Sequence, residues 1–387
     1  MNLLRYSLVL LTPVIILMIS LLAHHERTGD GSEYIAMYYA WLDTGRPWLS
    51  TTSGASYEAT RLSNTILGMV PYELILQVFQ PLRLGDGLDT THFWFFSAIA
   101  AAIGSVAKKV GGFTDPSYAF AIEHAVLALL AGIAALRLFG IAGVLAVAFL
   151  LLGSPMLWFT DKIHTEFFTV SLCLIAVLGL LGGKLSWATL AFAAASTQNP
   201  SFAIVAAATG VTWLFARERP TRVDIAFVVA AAVLTCLHPL YYFFRFGGLT
   251  PQLIFAGARF AWEPVLSSYI WFIDPDLGLF PNWPGGIAII VLAAIAISHG
   301  ARLPVSMKAY ALLGFLLVIN LLAHSATVMM NSGGSLDVAR YATWYIPFFA
   351  PLLIIVLQYA APTDPLKNGD LRMTPLSAFR RKPLPEN

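Results

Sequence analysis

Two acidic side chains follow the first apolar run of the chain at a spacing that could support acid–base chemistry. The segment Thr28-Gly29-Asp30-Gly31-Ser32-Glu33-Tyr34 comes directly after an apolar run at residues 3–23. An ionisable group is costly to hold at the exit of a membrane span, so its presence there indicates a function. Asp30 and Glu33 are therefore candidate catalytic residues.

Asp30 also has a purely structural explanation. The residues after it show a helical pattern of apolar positions that ends at Thr44-Gly45-Arg46-Pro47. Asp is a preferred N-cap residue, and a carboxylate stabilises a helix N-terminus. The spacing alone favours capping slightly over catalysis, and one carboxylate can have both roles.

Two later polar segments hold further titratable groups. Residues 160–165 and the position after them separate two apolar runs, and four of these side chains titrate: Asp161, Lys162, His164 and Glu166. A solvated turn explains such a segment as well as a binding site does. The segment 244–284 contains charged residues among many aromatic ones, and aromatic residues at a membrane boundary commonly form an interfacial belt.

Composition decides the class of protein. Of the 387 residues, 58% are hydrophobic and 11% charged, which is outside the balance of soluble domains and predicts an all-α, polytopic membrane protein. The net charge of +2 is too small, and the cations too scattered, for a nucleic-acid partner. Cys173 and Cys236 both lie in apolar runs, where a thiol behaves as a small hydrophobic group.

The elements that must position these residues are predicted from the apolar runs, because a helix needs about 20 residues to cross the hydrocarbon. About ten runs are candidate transmembrane helices on this criterion. They are residues 3–23, 117–137, 141–159, 166–183, 186–198, 201–216, 223–243, 285–299, 307–325 and 341–360. The run 92–107 is ambiguous, since charged residues flank it on both sides and it could lie in the interface.

The positive-inside rule favours the interfacial placement of residues 92–107. With a cytoplasmic N-terminus, the short basic loops and the basic tail then all face the cytoplasm. The outward segments are 24–116, 160–165, 244–284 and 326–340, and they hold most of the acidic residues. We therefore predict a transmembrane domain at 1–360, with juxtamembrane helices in its long first outward loop 24–116, and a disordered cytoplasmic tail at 361–387.

The order of short motifs along the chain resembles that of bacterial GT-C-type glycosyltransferases, which are integral membrane enzymes that use polyprenyl-phosphate-linked sugars. The motifs are Asp30-Gly31-Ser32-Glu33-Tyr34, Gly153-Ser154-Pro155, Gln198-Asn199-Pro200, Asp276-Leu277-Gly278-Leu279-Phe280 and Ala339-Arg340-Tyr341 before Pro347. The resemblance covers roughly residues 1–360 and is architectural, because each motif is short.

This resemblance implies an inverting enzyme in the bacterial cytoplasmic (inner) membrane, with its active site on the periplasmic side. Asp30, with Glu33 beside it, would act as the base that deprotonates a glycan, lipid or protein acceptor. The departing lipid phosphate would need cations, for which the candidates are Lys162, Arg245, Arg259 and Arg340. Asp161, His164 and Glu166 would bind the acceptor or, in metal-using branches, a divalent cation. We expect no obligatory cofactor.

Two rival functions also fit the sequence. A transporter or flippase of a lipid-linked substrate also contains intramembrane acids and short broken helices, although the chain shows no inverted repeat. An inactive GT-C-like scaffold is the other.

Overall fold

The computed structural model describes residues 2–23, 30–112, 114–216, 220–254, 257, 259, 262–327 and 338–361. The predicted tail lies outside them, apart from Ala361, as do parts of the outward segments 24–116, 244–284 and 326–340. The described chain is mostly helical, and its one sheet is a two-stranded antiparallel ribbon, β1 (Arg83–Leu84) and β2 (Gly87–Leu88).

Seventeen α-helices follow in chain order among the described residues. The first ten are α1 (Asn2–Leu22), α2 (Gly31–Thr44), α3 (Thr51–Ser63), α4 (Tyr72–Val78), α5 (Phe95–Gly111), α6 (Pro116–Leu152), α7 (Thr165–Leu181), α8 (Leu185–Ser196), α9 (Ser201–Phe215) and α10 (Arg222–Phe246). The others are α11 (Pro251–Ile254), α12 (Trp262–Ser267), α13 (Ile270–Ile273), α14 (Leu279–Asn282), α15 (Pro284–Ser298), α16 (Met307–His324) and α17 (Ala350–Ala360). Four 3₁₀ segments accompany them: Thr65–Leu67, Gln80–Leu82, Pro155–Phe159 and Arg340–Phe349.

Five helices of the described chain are long and apolar enough to cross a membrane: Arg5–Leu22, Pro116–Leu152, Arg222–Phe246, Met307–His324 and Arg340–Ala360. The remaining apolar helices of the bundle, α7, α8, α9 and α15, contain 12 to 17 residues each. At a rise of about 1.5 Å per residue these helices are shorter than the hydrocarbon core, which is about 30 Å thick.

The longest helix, α6, has a backbone break at the boundary between two of the predicted apolar runs. Gly140 adopts φ 65° and ψ −148°, a conformation that glycine reaches without the steric cost of a side chain. An unbroken helix of 37 residues would be about 55 Å long, well beyond the hydrocarbon thickness. The break therefore divides α6 into two segments.

Two of the predicted apolar runs are α-helical over only part of their length. The run 141–159 leaves the α-helical conformation at Leu152, because Gly153-Ser154-Pro155 follows and the Ser154 hydroxyl accepts a hydrogen bond from the Met156 amide. The run 341–360 begins as a 3₁₀ helix and becomes α-helical at Ala350.

The segment 24–116, predicted to face outward, has a hydrophobic core of its own in its described part. Side chains of α2, α3, α4 and α5 are buried together, and α5 packs against both α2 and the first part of α6. A second, larger core joins the buried faces of α6, α7, α8, α9 and α17. The structured first segment is thereby fixed on one end of the helical bundle.

Two hydrogen bonds show that α8 and α10 begin at the same end of the bundle and finish together at its other end. The Ser186 hydroxyl donates to Asp224 over 2.6 Å, which joins the start of α8 to the start of α10. The His238 ring, near the end of α10, lies 2.9 Å from the Thr197 carbonyl that follows α8. The polar residues described next all lie at this second end.

Candidate functional site

The Asp30 side chain points away from the helix that it precedes. Asp30 occupies the N-cap position of α2, but its carboxylate makes no capping hydrogen bond to that helix in the described chain. Its Oδ2 atom instead accepts a hydrogen bond of 2.8 Å from the Arg340 guanidinium and lies 3.2 Å from His92 Nε2. The structure thus favours an interaction role for the side chain over a capping role.

His92 bridges the two acids that the sequence singled out. Its Nδ1 atom lies 2.9 Å from Glu33 Oε2, and its Nε2 atom faces Asp30. Burial lowers the pKa of an imidazole, but the carboxylates of Asp30 and Glu33 outweigh that effect and raise the pKa of His92 to about 10. His92 is therefore a cation at neutral pH and donates from both ring nitrogens.

The same charges act on Asp30 in the opposite sense. Burial alone raises the pKa of a carboxyl, yet His92 and Arg340 outweigh burial and hold the pKa of Asp30 well below its usual range. Asp30 is thus fully ionised, and it is a weak base as long as both cations remain in contact with it.

A second group of side chains meets Arg340 from the start of α7. Arg340 donates over 3.0 Å to His164 Nε2, so this nitrogen is the acceptor and the ring proton resides on Nδ1, which contacts Glu166. Burial and the neighbouring guanidinium hold the pKa of His164 well below its ordinary value, which keeps the ring neutral. The Nε of Arg340 also lies 3.7 Å from Glu166.

Two backbone features hold Arg340 at this point. The Ala339 amide donates over 2.9 Å to the Leu277 carbonyl, and the Thr343 hydroxyl donates to the Arg340 carbonyl over 2.5 Å. The Asp274 carboxylate accepts from the Leu277 amide in turn. The motif Asp276-Leu277-Gly278-Leu279-Phe280 therefore contributes to the site by supporting the segment that contains Arg340.

A cavity of about 250 Å³ lies beside this network. Its lining combines residues of the network with residues from the tips of α8, α9, α10 and α16. The lining residues that matter below are Tyr34, His92, Glu166, Gln198, Ser201, Arg259, His324, Arg340, Tyr341 and Trp344. The cavity is smaller than most ligand pockets, which measure about 300–1,000 Å³, and fits a compact polar ligand better than an extended chain.

The predicted cations divide between the cavity and other places. Arg259 lines the cavity and has no ion-pair partner among the residues that the structure describes. Arg245 instead bonds Asp89 over 2.6 Å and lies 4.6 Å above the Trp48 ring, outside the cavity lining. Lys162 pairs with Asp161 over 3.0 Å and is also absent from that lining.

The structure brings together one group of residues with metal-ligand chemistry in its described part. Ligand atoms of Asp30, Glu33 and His92 all lie within 4.8 Å of one another. Both His92 nitrogens already face the carboxylates, and Arg340 supplies a second positive charge, so these acids are neutralised without a metal ion. The other predicted ligand set is separated, because Asp161 pairs with Lys162 while His164 and Glu166 contact each other.

His92 is a site residue that none of the sequence motifs indicated. Tyr34 was also missed, although its hydroxyl lies 3.3 Å from the Thr165 hydroxyl and its ring contacts those of His92 and His164. Both signals exist in the sequence, since Tyr34 follows Glu33 directly and His92 is a titratable residue in an outward segment rich in acids.

Comparison of the chain with protein-family models, curated proteins and solved structures finds no match.

Proposed function

We propose that this chain is a GT-C-type membrane glycosyltransferase that transfers a sugar from a polyprenyl-phosphate donor to an acceptor, with inversion. The observation that supports the proposal best is the 2.8 Å contact between Arg340, which lines the cavity, and Asp30, which lies behind Arg340 and outside the cavity lining. These residues are 310 positions apart, and they combine a base with a cation able to bind phosphate.

In the proposed reaction, Asp30 takes the proton of an acceptor hydroxyl as the acceptor oxygen attacks the anomeric carbon. The bond between that carbon and the phosphate oxygen breaks, and the polyprenyl phosphate leaves with the electron pair. A hydroxyl is a weak nucleophile without a base within reach, so this step needs a carboxylate in the position of Asp30.

Arg340 links donor binding to the strength of that base. A guanidinium binds phosphate through two parallel hydrogen bonds, and a phosphate at Arg340 competes with Asp30 for the same donors. When Arg340 turns to the phosphate, Asp30 loses one of the two cations that lower its pKa, and the carboxylate becomes a stronger base. The site is thus weakly basic when empty and more basic when the donor is bound.

The leaving phosphate would also contact Arg259. Arg259 lines the same cavity and is not neutralised by a described carboxylate. His164 would keep its proton on Nδ1 and accept a hydrogen bond from Arg340 through Nε2, with Glu166 fixing the orientation of the ring. Asp161 and Lys162 support this segment through their own ion pair.

The proposed membrane arrangement has ten crossings, with the break at Gly140 separating two of them. Several basic residues lie at the ends of bundle helices that do not line the cavity, or close to the break in α6. They are Arg137, Lys184, Arg222, Arg302 and Lys308. The positive-inside rule then places the cavity at the outer face of a bacterial cytoplasmic membrane. There the isoprenoid tail stays in lipid while the phosphate and sugar enter the cavity.

Mass spectrometry of lipids that co-purify with the full chain tests this proposal. We expect a polyprenyl phosphate or its glycosylated form, retained by the wild type and lost from Arg340→Met. The matched variant Arg245→Met, which removes a paired arginine outside the cavity, should retain it. A bound lipid without an isoprenoid chain, equally retained by all three proteins, would contradict the proposal and favour a transporter of another lipid.

A further inference from the structure

One part of the cavity lining contains several buried polar atoms that lack hydrogen-bond partners within the described chain. They are Gln198 Nε2, Ser201 Oγ, His324 Nε2 and Trp344 Nε1. All four residues line the cavity, and none of the four is an acid or an arginine. We call this set the neutral wall.

Aromatic stacking positions two members of the neutral wall, His324 and Trp344. The His324 ring lies between the rings of Trp271 and Trp344, with centroid distances of 4.0 Å and 4.5 Å and interplanar angles of 12° and 23°. The Tyr341 ring meets His324 edge-on at 4.9 Å. His324 Nδ1 lies 3.0 Å from the Tyr345 hydroxyl, so in either tautomer the ring keeps one further hydrogen bond to offer through Nε2.

Unpartnered polar atoms in a protein interior need an explanation, because most buried polar groups are hydrogen-bonded. If no ligand or water formed hydrogen bonds with these four atoms, each of them would lower the stability of the folded protein. A ligand with several hydroxyl groups can form hydrogen bonds with all four atoms, since a hydroxyl both donates and accepts. Charged ligand groups fit this wall poorly, because its residues supply no opposite charge.

We infer that the neutral wall binds the sugar ring of the donor and sets the choice of sugar. This inference rests on the proposed function, because it takes Arg340 as the phosphate site. Trp344 follows Arg340 by four residues in one 3₁₀ helix, which corresponds to about 8 Å at a rise of about 2.0 Å per residue. A sugar joined to a phosphate at Arg340 reaches that far.

The test compares affinities for lipids with and without a sugar. The full chain in nanodiscs is titrated with undecaprenyl phosphate and with undecaprenyl phosphate that bears arabinose, glucose or mannose. The ratio of the two dissociation constants gives the contribution of the sugar. For the wild type, at least one sugar should tighten binding about tenfold or more, as one or two additional hydrogen bonds would.

Two substitutions then remove polar groups while keeping much of the side-chain volume: Trp344→Phe removes the indole N–H donor, and Gln198→Leu removes the whole amide group. Trp344→Phe and Gln198→Leu should each reduce that ratio about five- to tenfold and leave the affinity for bare undecaprenyl phosphate unchanged. The matched control is Trp41→Phe, because the Trp41 indole nitrogen is also buried without a described partner but Trp41 lies outside the cavity lining. This control should leave both affinities unchanged.

Two results overturn the inference. In one, no sugar tightens binding to the wild type; in the other, Trp344→Phe weakens bare and glycosylated lipid equally. Failure of the proposed function is a different result: normal sugar selectivity with no transfer by the wild type refutes the enzyme while leaving the neutral wall as a sugar site.

Discussion

The network predicts that Asp30 and Arg340 are energetically coupled in the empty protein, which can be measured before any substrate is known. Arg340→Met keeps an unbranched side chain but removes the guanidinium. Asp30 then loses a hydrogen bond of 2.8 Å and His164 Nε2 loses its donor. Asp30→Asn keeps the shape of the side chain and removes the negative charge.

The expected losses of unfolding free energy follow from how exposed Asp30 and Arg340 are and from the partners that each of them keeps. Removing one partner of a fully buried ion pair costs about 3–5 kcal/mol. The Asp30 side chain is 28% exposed and keeps His92 as a partner, so we expect about 2–3 kcal/mol for Arg340→Met. Arg340 keeps Glu166 in Asp30→Asn, which should cost about 1–2 kcal/mol.

The double variant should be more stable than the sum of these losses implies, because each single variant leaves a charge without its partner. We expect a coupling free energy of about 1–2 kcal/mol. Equilibrium unfolding in mixed micelles measures all four proteins of the cycle. A cycle on Asp89 and Arg245, which are bonded over 2.6 Å outside the cavity lining, shows that the method detects a buried pair. Additive losses at Asp30 and Arg340, beside clear coupling in that control, would refute the network.

Three further predictions concern charge, phosphate and metal. The pKa of His92 is raised from 6.5 to about 10, so its ion pairs stabilise the fold fully below pH 6.5 and lose this contribution as pH rises through about 10. The stability difference between the wild type and His92→Gln, a few kcal/mol at neutral pH, should therefore shrink over that interval in unfolding experiments; a constant difference would argue against a charged His92. Arg259→Gln should weaken undecaprenyl phosphate binding about tenfold with little change in stability, whereas Arg245→Met should lower stability and leave binding unchanged. Because Asp30 and Glu33 are already neutralised, Mg²⁺ or Mn²⁺ should not raise the melting temperature relative to EDTA, and a metal-dependent rise would assign these residues to a metal site.

The helical elements were largely predictable from the sequence because apolar runs and breakers act locally. The predicted end of the helix at Thr44-Gly45 is confirmed, since α2 ends at Thr44 and Gly45 adopts a left-handed φ of 65°. The break at Gln198-Asn199-Pro200 lies between α8 and α9 as expected. The 3₁₀ start of the last bundle helix was not predictable, because 3₁₀ and α-helical segments share the same apolar pattern.

The candidate site was predictable only in part, because its contacts join distant segments. Asp30, Glu33 and Glu166 were chosen from their chemistry and position and Arg340 from the resemblance to GT-C enzymes, and the structure places these four residues in one network. The sequence does not distinguish among the cations of the segments predicted to face outward, so the pairing of Arg245 with Asp89 was not foreseeable. The choice between capping and interaction for Asp30 likewise needed the direction of one side chain.

The central claim is that Asp30 is the base of a sugar transfer, and one turnover measurement tests it most directly. Native membrane vesicles that contain the full chain and supply the acceptor receive the glycosylated lipid identified by mass spectrometry, and release of polyprenyl phosphate is followed. Asp30→Asn should lower turnover about 100-fold or more, as loss of a general base does, while donor binding persists. Asp43→Asn, an exposed acid on the same helix, should behave like the wild type. Turnover by Asp30→Asn at the wild-type rate would contradict the account.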